Sequence, residues 1–309
     1  MPVEWSDEVD EILGNDLAAG FAYTTPAKGV VITPMAPLAV RDRERGTVTL
    51  SSSLGLPKKL IRIRANPEVA IAYHAREHSA LDREQYVLVQ GRASFDPKPD
   101  REWLESITPD WERFLGPRRT GVVGGWLDVY YWQRVPIVVE VERVLSWPTA
   151  GCAGEPEVFG APRPSSAPDS QSAPKKGTAA RESTTRLRRQ AGRLPHTLLG
   201  WVGADGLPEV VSVSVTAADD QAVELASAAT IIPPGQRRAG LTAHAFKPRM
   251  IGQEQRVHTG WLEHDGARIR YSPHTRAGYA LPASKALFVA GAAGGTRAGM
   301  RRARAAGLA

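Results

Sequence analysis

Between Gly151 and Gly192 the chain changes character. Pro156, Pro162, Pro164, Pro168 and Pro174 are scattered among Ser, Ala and Gly, with almost no β-branched or aromatic residues. Such a stretch cannot bury enough apolar surface to offset its ordering entropy, so an extended or disordered linker is expected over 151–192. It divides the 309 residues into a first domain over 1–150 and a shorter second domain over 193–309. Each is long enough to enclose its own core.

Both halves carry the same succession of short strands. In the first, Val30–Thr33, Thr47–Leu50, Val69–Tyr73, Tyr86–Gln90 and Ile137–Val141 are β-branched or alternating runs bounded by turn residues. In the second, Val210–Val215, Ala222–Ala226, Leu241–Ala245, Val257–Leu262 and Arg268–Tyr271 follow in that order. Gly29 and Gly206 open the first strands, and Gln90-Gly91 and Thr259-Gly260 sit in the fourth. A duplicated antiparallel β unit is the simplest source of this pattern.

The copies differ in one place. After Leu50 the first copy reads Ser51-Ser52-Ser53, then Pro57-Lys58-Lys59-Leu60, and ends at Asn66-Pro67. Proline suits a first helical turn and a residue before proline leaves the α region, so a helix is expected between them. The second copy has Thr230-Ile231-Ile232-Pro233-Pro234 there, where no helix fits. The first half also holds a helical insertion over 96–127, whose stripe of Trp103, Leu104, Ile107, Trp111, Phe114 and Leu115 is expected to pack on the barrel. The alternative is an aromatic lid over a flat ring, which Trp126 would join.

Composition excludes several classes. Hydrophobic residues make up 42% and charged residues 23%, so the chain is globular. The net charge of +6 arises mainly from the linker and from Arg297, Arg301, Arg302 and Arg304 in the tail, which argues against nucleic acid as a partner. No run approaches a membrane span, and the acidic stretch Glu4–Glu11 lacks the order of a signal peptide, so a cytoplasmic chain with no membrane partner is expected. The single cysteine, Cys152, rules out an internal disulfide and a multi-thiolate metal site. His74-Ala75-Arg76-Glu77-His78 fits a zinc-hydrolase pattern, but His74 ends a strand where that chemistry needs a helix, so no metal is assigned.

The chemistry-bearing candidates lie at the helix start. A helix N-terminus presents free N–H groups and partial positive charge. Lys58 and Lys59 in its first turn, preceded by Ser51 and Ser52, form a candidate phosphate cradle; the bland alternative is a solvated basic face.

The order Gly29–Met35 with Thr33-Pro34-Met35, then Thr47–Ser53, Lys58-Lys59, Asn66-Pro67, Val69–Tyr73 and Val87–Arg92 resembles the pyridoxamine 5′-phosphate oxidase-like superfamily, the FMN-binding split barrels that include flavin and deazaflavin oxidoreductases. Asp205–Val211 matches the opening strand in the second half. The resemblance implies two tandem split β-barrels, mainly β with added helices, paired within one chain as an intramolecular pseudo-dimer. It implies FMN, or alternatively the deazaflavin coenzyme F-420, with its phosphate on Lys58 and Lys59. Ser51 and Ser52 would lie against ring or ribityl and Thr33 near the ring, with Arg237 and Arg238 added from the second half. His244, His258 and Trp261 are further residues that could approach the ring. For oxidases acting on pyridoxamine phosphate the resemblance implies an arginine and a lysine in the first strand and a glutamine near the position of Tyr86. The strand Val30–Met35 holds none of that set, so that activity is not expected. The expected function is hydride transfer to a small organic substrate by a monomer or homodimer, with catalytic residues unassigned. The alternative is a non-catalytic flavin- or haem-type binding or structural protein.

Overall fold

The computed structural model describes residues 2–118 and 128–308. Its first sheet contains β1 (Ala18–Thr24), β2 (Val30–Met35), β3 (Arg41–Asp42), β4 (Thr47–Ser53), β5 (Glu68–Ala75), β6 (Tyr86–Ser94), β7 (Arg134–Trp147) and β8 (Glu157–Gly160). The second contains β9 (His196–Val202), β10 (Pro208–Ser212), β11 (Ser214–Ala218), β12 (Val223–Ala226), β13 (Gly235–Ala245), β14 (Glu254–His264) and β15 (Ile269–Ala280).

The strand orders are β2-β1-β5-β6-β7-β4-β3, with β8 added on β7, and β10-β9-β13-β14-β15-β12-β11. Strand for strand the two paths are identical. Both carry the same irregularity, a register shift at Gln90/Gly91 between β6 and β7 and at Thr259/Gly260 between β14 and β15. Two antiparallel split barrels in tandem, mainly β with added helices, are therefore the architecture of this chain.

Shared register defines equivalent residues in the two halves. Ala70 and Gly240 oppose Gln90 and Thr259, so His74 corresponds to His244 and Tyr86 to Gln255. Equivalent residues meet across the junction: a Cβ on Gly20 would lie 2.6 Å from Leu198 Cδ1, its counterpart, and His74 faces His244. Contacts between equivalent residues mark an isologous, two-fold-like interface. The sheets approach closely there, since a Cβ on Gly240 would lie 2.3 Å from the Val30 carbonyl oxygen.

Six helices with named bounds dress the sheets. They are α1 (Asp7–Asn15), α2 (Pro57–Ala65), α3 (Arg101–Ser106), α4 (Thr108–Leu115), α5 (Thr184–Ala191) and α6 (Lys285–Ala305). Pro57 opens α2 and Asn66 closes it in extended backbone, as the proline positions predict. In the insertion, Leu104, Ile107, Trp111 and Phe114 are buried together with Tyr131, Phe246 and Met250, so the stripe is packed core. Trp126 lies outside the described residues.

Residues 151–192, expected to be an extended or disordered linker, run without helix or strand over 161–183 between two ordered elements. Residues 151–192 contain β8, paired with β7, and α5, which buries Leu187 and Ala191. Hydrogen bonds tie the proline-rich part down: Arg143, 1% exposed, donates to Pro162 O at 2.9 Å, Gln90 Oε1 at 2.7 Å and Asp205 Oδ2 at 2.8 Å. Gln171 Nε2 donates to Lys28 O at 3.0 Å. Buried polar side chains supply the ordering that the apolar content of the segment could not.

Candidate functional site

The site forms where β4 runs into α2. Ser51, Ser52 and Ser53 close β4 and are all buried. Leu56 precedes α2 without a side-chain cap, and Pro57 has no N–H to satisfy. One residue on, the helical turn separates the two lysines: Lys58 is exposed, whereas Lys59 turns inward and is 8% exposed. Lys59 Nζ lies 3.5 Å from Met35 Sδ on β2 and 5.8 Å from the centre of the Phe21 ring on β1.

A second cation arrives from β7. Arg134 opposes Ser53 in the β4–β7 register, and its Nε and Nη2 donate to Ser51 Oγ at 2.8 Å and Ser51 O at 2.9 Å. Its guanidinium lies 4.8 Å from the Trp111 ring centre and 5.8 Å from that of Tyr130. Burial, with the nearby Arg134 charge adding to it, pushes the Lys59 ammonium down to about 7. Burial also lowers Arg134.

Among the described residues no carboxylate forms an ion pair with either group. On the face of β4 opposite Ser51, the Ser52 hydroxyl is buried without a hydrogen-bond partner. A buried ammonium and a half-buried guanidinium with no carboxylate partner are costly unless an anion completes them. A phosphate has the charge and the acceptor oxygens to do so.

The second half walls the site. Gln253 Nε2 donates to Pro34 O at 3.4 Å, and Tyr279 OH donates to Gln253 Oε1 at 2.6 Å. The Gln255 side-chain oxygen is buried without a partner, and Val257 packs into the first-half core. Over the other side lies α6: Thr296 Oγ1 is 3.3 Å from Ser53 Oγ, and Met300 and Ala303 pack on the core that holds Leu54 and Leu60.

Of the residues singled out from the sequence, Ser51 and Lys59 are linked through Arg134, while Ser52 lies buried on the other face of β4. Thr33 lies two residues before Met35 on β2, half-buried, with Oγ1 donating to Phe21 O at 3.4 Å. Lys58 faces outward. Arg237 and Arg238 are engaged elsewhere. Arg237 Nη1 donates to Pro168 O at 3.0 Å, and Arg238 Nη1 donates to Gln171 Oε1 at 3.0 Å, so both fasten the linker. His244 is taken up by His74, and His258 has neither ring nitrogen hydrogen-bonded. The Trp261 indole is buried, with the Arg238 guanidinium 5.7 Å from its ring centre. His74 and His78 do not converge on a metal; the His78 ring packs against Phe246.

Arg134, Gln253 and Tyr279 were invisible to sequence reasoning. Arg134 sits at the start of a strand, where an arginine is ordinarily a solvated end. Only its pairing with β4 carries it to Ser51.

No protein-family model and no curated protein matches the sequence. Solved structures with a similar fold are split-barrel proteins, each aligning to about half of this chain. A conserved hypothetical protein from Mycobacterium tuberculosis is 22% identical, with 47% of this chain and 86% of that chain covered at a TM-score of 0.36. A protein related to general stress protein 26, of the pyridoxinephosphate oxidase family, from Clostridium acetobutylicum is 13% identical, covering 50% and 92% at 0.35. An F420 reductase is 19% identical, covering 44% and 94% at 0.32.

Proposed function

We propose that this chain is an oxidoreductase that binds a phosphate-bearing flavin or deazaflavin at the Lys59–Arg134 site and passes hydride between it and a small organic substrate. One observation carries the reading: the buried Lys59 and the half-buried Arg134, whose charge acts on Lys59, have no carboxylate partner among the described residues. The residues present fit a phosphate group in charge and in hydrogen-bonding capacity. FMN is the first cofactor to test and the deazaflavin coenzyme F-420 the second.

When bound, the cofactor supplies the hydride chemistry. The chain's own residues bind and exclude water. Lys59 and Arg134 would hold the negative charge of the phosphate. Ser51 keeps Arg134 oriented through its hydroxyl and carbonyl. Thr33 and Met35 on β2 and Gln253 with Tyr279 from the second half supply the surrounding wall.

The test is equilibrium binding of FMN and of coenzyme F-420 to the wild type, Lys59→Met, Arg134→Gln and Lys58→Ala. Loss of a buried charge-assisted contact is expected to weaken binding about 10- to 100-fold in the first two variants. Lys58→Ala is expected to bind within about twofold of wild type, because an exposed charge is worth little. Reduction of the bound cofactor, followed by reoxidation with an organic acceptor, separates an enzyme from a ligand-binding protein. Absence of binding by both cofactors overturns the proposal.

A further inference from the structure

The two-fold-like pairing of the halves generates two symmetry-related places for a ligand, and the register identifies the second one residue by residue. Leu50 and Leu225 pair with Ile137 and Ile269, so Ser51, Ser52 and Ser53 correspond to Ala226, Ser227 and Ala228. Continuing one residue at a time, Arg134 corresponds to Gly266. The segment equivalent to α2 with Lys59 is Thr230–Pro234, which contains no cation. Tyr86 pairs with Trp147 where Gln255 pairs with Tyr279, so the wall of this second place is Tyr86 and Trp147.

These replacements are apolar and close-packed. Tyr86, Trp147, Cys152, Ile231 and Ile232 belong to one buried cluster that spans both halves. The polar atoms are satisfied inside it: Tyr86 OH donates to Val210 O at 2.7 Å, Trp147 Nε1 to Gly154 O at 3.2 Å and Ser227 Oγ to Ser212 O at 2.8 Å. The chain after β7 closes over this place, with Ala153 and Gly154 forming β-bridges to Ala229. Burial drives the Cys152 thiol up to about 12, consistent with an apolar surround.

We infer that the chain holds one ligand site of the two its pairing would generate, and that the second has become permanent core joining the halves. The polarity divides cleanly. The first place has two unpaired cations and an unsatisfied oxygen on Gln255, whereas the second has none of these and a packed aromatic pair instead. A buried group left unsatisfied in one copy and designed out of the other marks where a ligand is accommodated. This inference rests on the cofactor reading for the open site but not for the closed one.

Two measurements test it. Titration of the full chain with FMN and with coenzyme F-420 is expected to saturate at one equivalent per chain; two equivalents would overturn the inference and leave the cofactor reading standing. No binding of either sinks the cofactor reading, and the closed place is then judged by stability alone. There, Ile232→Lys is expected to lower the melting temperature of the ligand-free protein by about 10 °C or to prevent folding, because the cation enters dry core. Lys59→Met is expected to raise it. An Ile232→Lys protein as stable as wild type would mean an open, solvated second site and overturn the inference.

Discussion

His74 and His244 occupy equivalent positions on β5 and β13 and meet Nε2 to Nε2 at 2.7 Å across the junction of the halves. His74 Nδ1 lies 2.9 Å from Ala72 O. With Nδ1–H donated to that carbonyl, His74 Nε2 is the acceptor and His244 Nε2–H the donor. His196 stands beside them, its ring centre 5.3 Å from that of His74, with Nε2 3.0 Å from Glu77 Oε1 but out of line for a hydrogen bond. Arg76 and Tyr86 border the cluster on the first-half side and Phe246 on the second. Only one proton can occupy the His74–His244 line, and burial holds both imidazoles well below their ordinary value, so both rings are neutral in the folded state.

That arrangement makes stability fall in mild acid. Burial pushes His74 down to about 3 and His258 to about 4, and drives His244 well below the usual imidazole value of 6.5. A depressed imidazole contributes stability above its unfolded pKa that is lost as pH drops towards its folded one. Each is expected to cost about 1 kcal/mol between pH 6.5 and 5.5. Asp16, raised to about 7 by burial, opposes this because its folded form takes up a proton more readily than the unfolded chain. Urea denaturation at several pH values separates them: His244→Gln is expected to show about one fewer proton in the slope, and an unchanged slope contradicts the assignment.

Lys59 has the same sign as the histidines, in a higher pH range. Its folded pKa of about 7 lies below the ordinary lysine value of 10.5, so the unfolded chain binds the proton more tightly in between. Ligand-free protein is therefore expected to gain roughly 1 kcal/mol per pH unit from pH 7.5 to 9. Denaturation of Lys59→Met over the same range is expected to lack that gain and to start from a higher stability at pH 7.

The contact between α6 and the turn before α2 leaves no room for side chains. A Cβ on Gly299 would lie 1.8 Å from Gly55 O, and one on Gly55 would lie 2.4 Å from Thr296 Cα. Gly299→Val is expected to lift α6 from Ser53 at a cost of about 1–3 kcal/mol. Amide exchange within 293–305 reads this directly, and faster exchange there with an unchanged β6 is the predicted pattern.

Gly240→Ala probes the junction of the halves. The added methyl meets the Val30 carbonyl at 2.3 Å, backbone against backbone, so β2 and β13 must separate. A loss of about 2–4 kcal/mol is expected, with the midpoint of denaturation shifted for probes in both halves. A shift confined to the second half contradicts the shared core.

The sequence by itself determined what depends on neighbours along the chain. Pro57 and Asn66-Pro67 bound α2, the β-branched runs mark the strands that match between halves, and Thr230–Pro234 shows that the second copy lacks the helix. β1 and β9 escaped notice because both faces of each are covered, which erases alternation; Ala18-Ala19-Gly20-Phe21-Ala22 reads as a featureless small-residue run. The linker misled for a related reason: its order comes from single side chains such as Arg143 and Arg238 reaching it from elsewhere. Tertiary structure alone decided which of two adjacent lysines faces inward, since one helical residue step rotates a side chain by about 100° and only packing sets the phase. It also carried Arg134 across 83 residues of chain to Ser51, and turned one of two equivalent places into core while leaving the other charged.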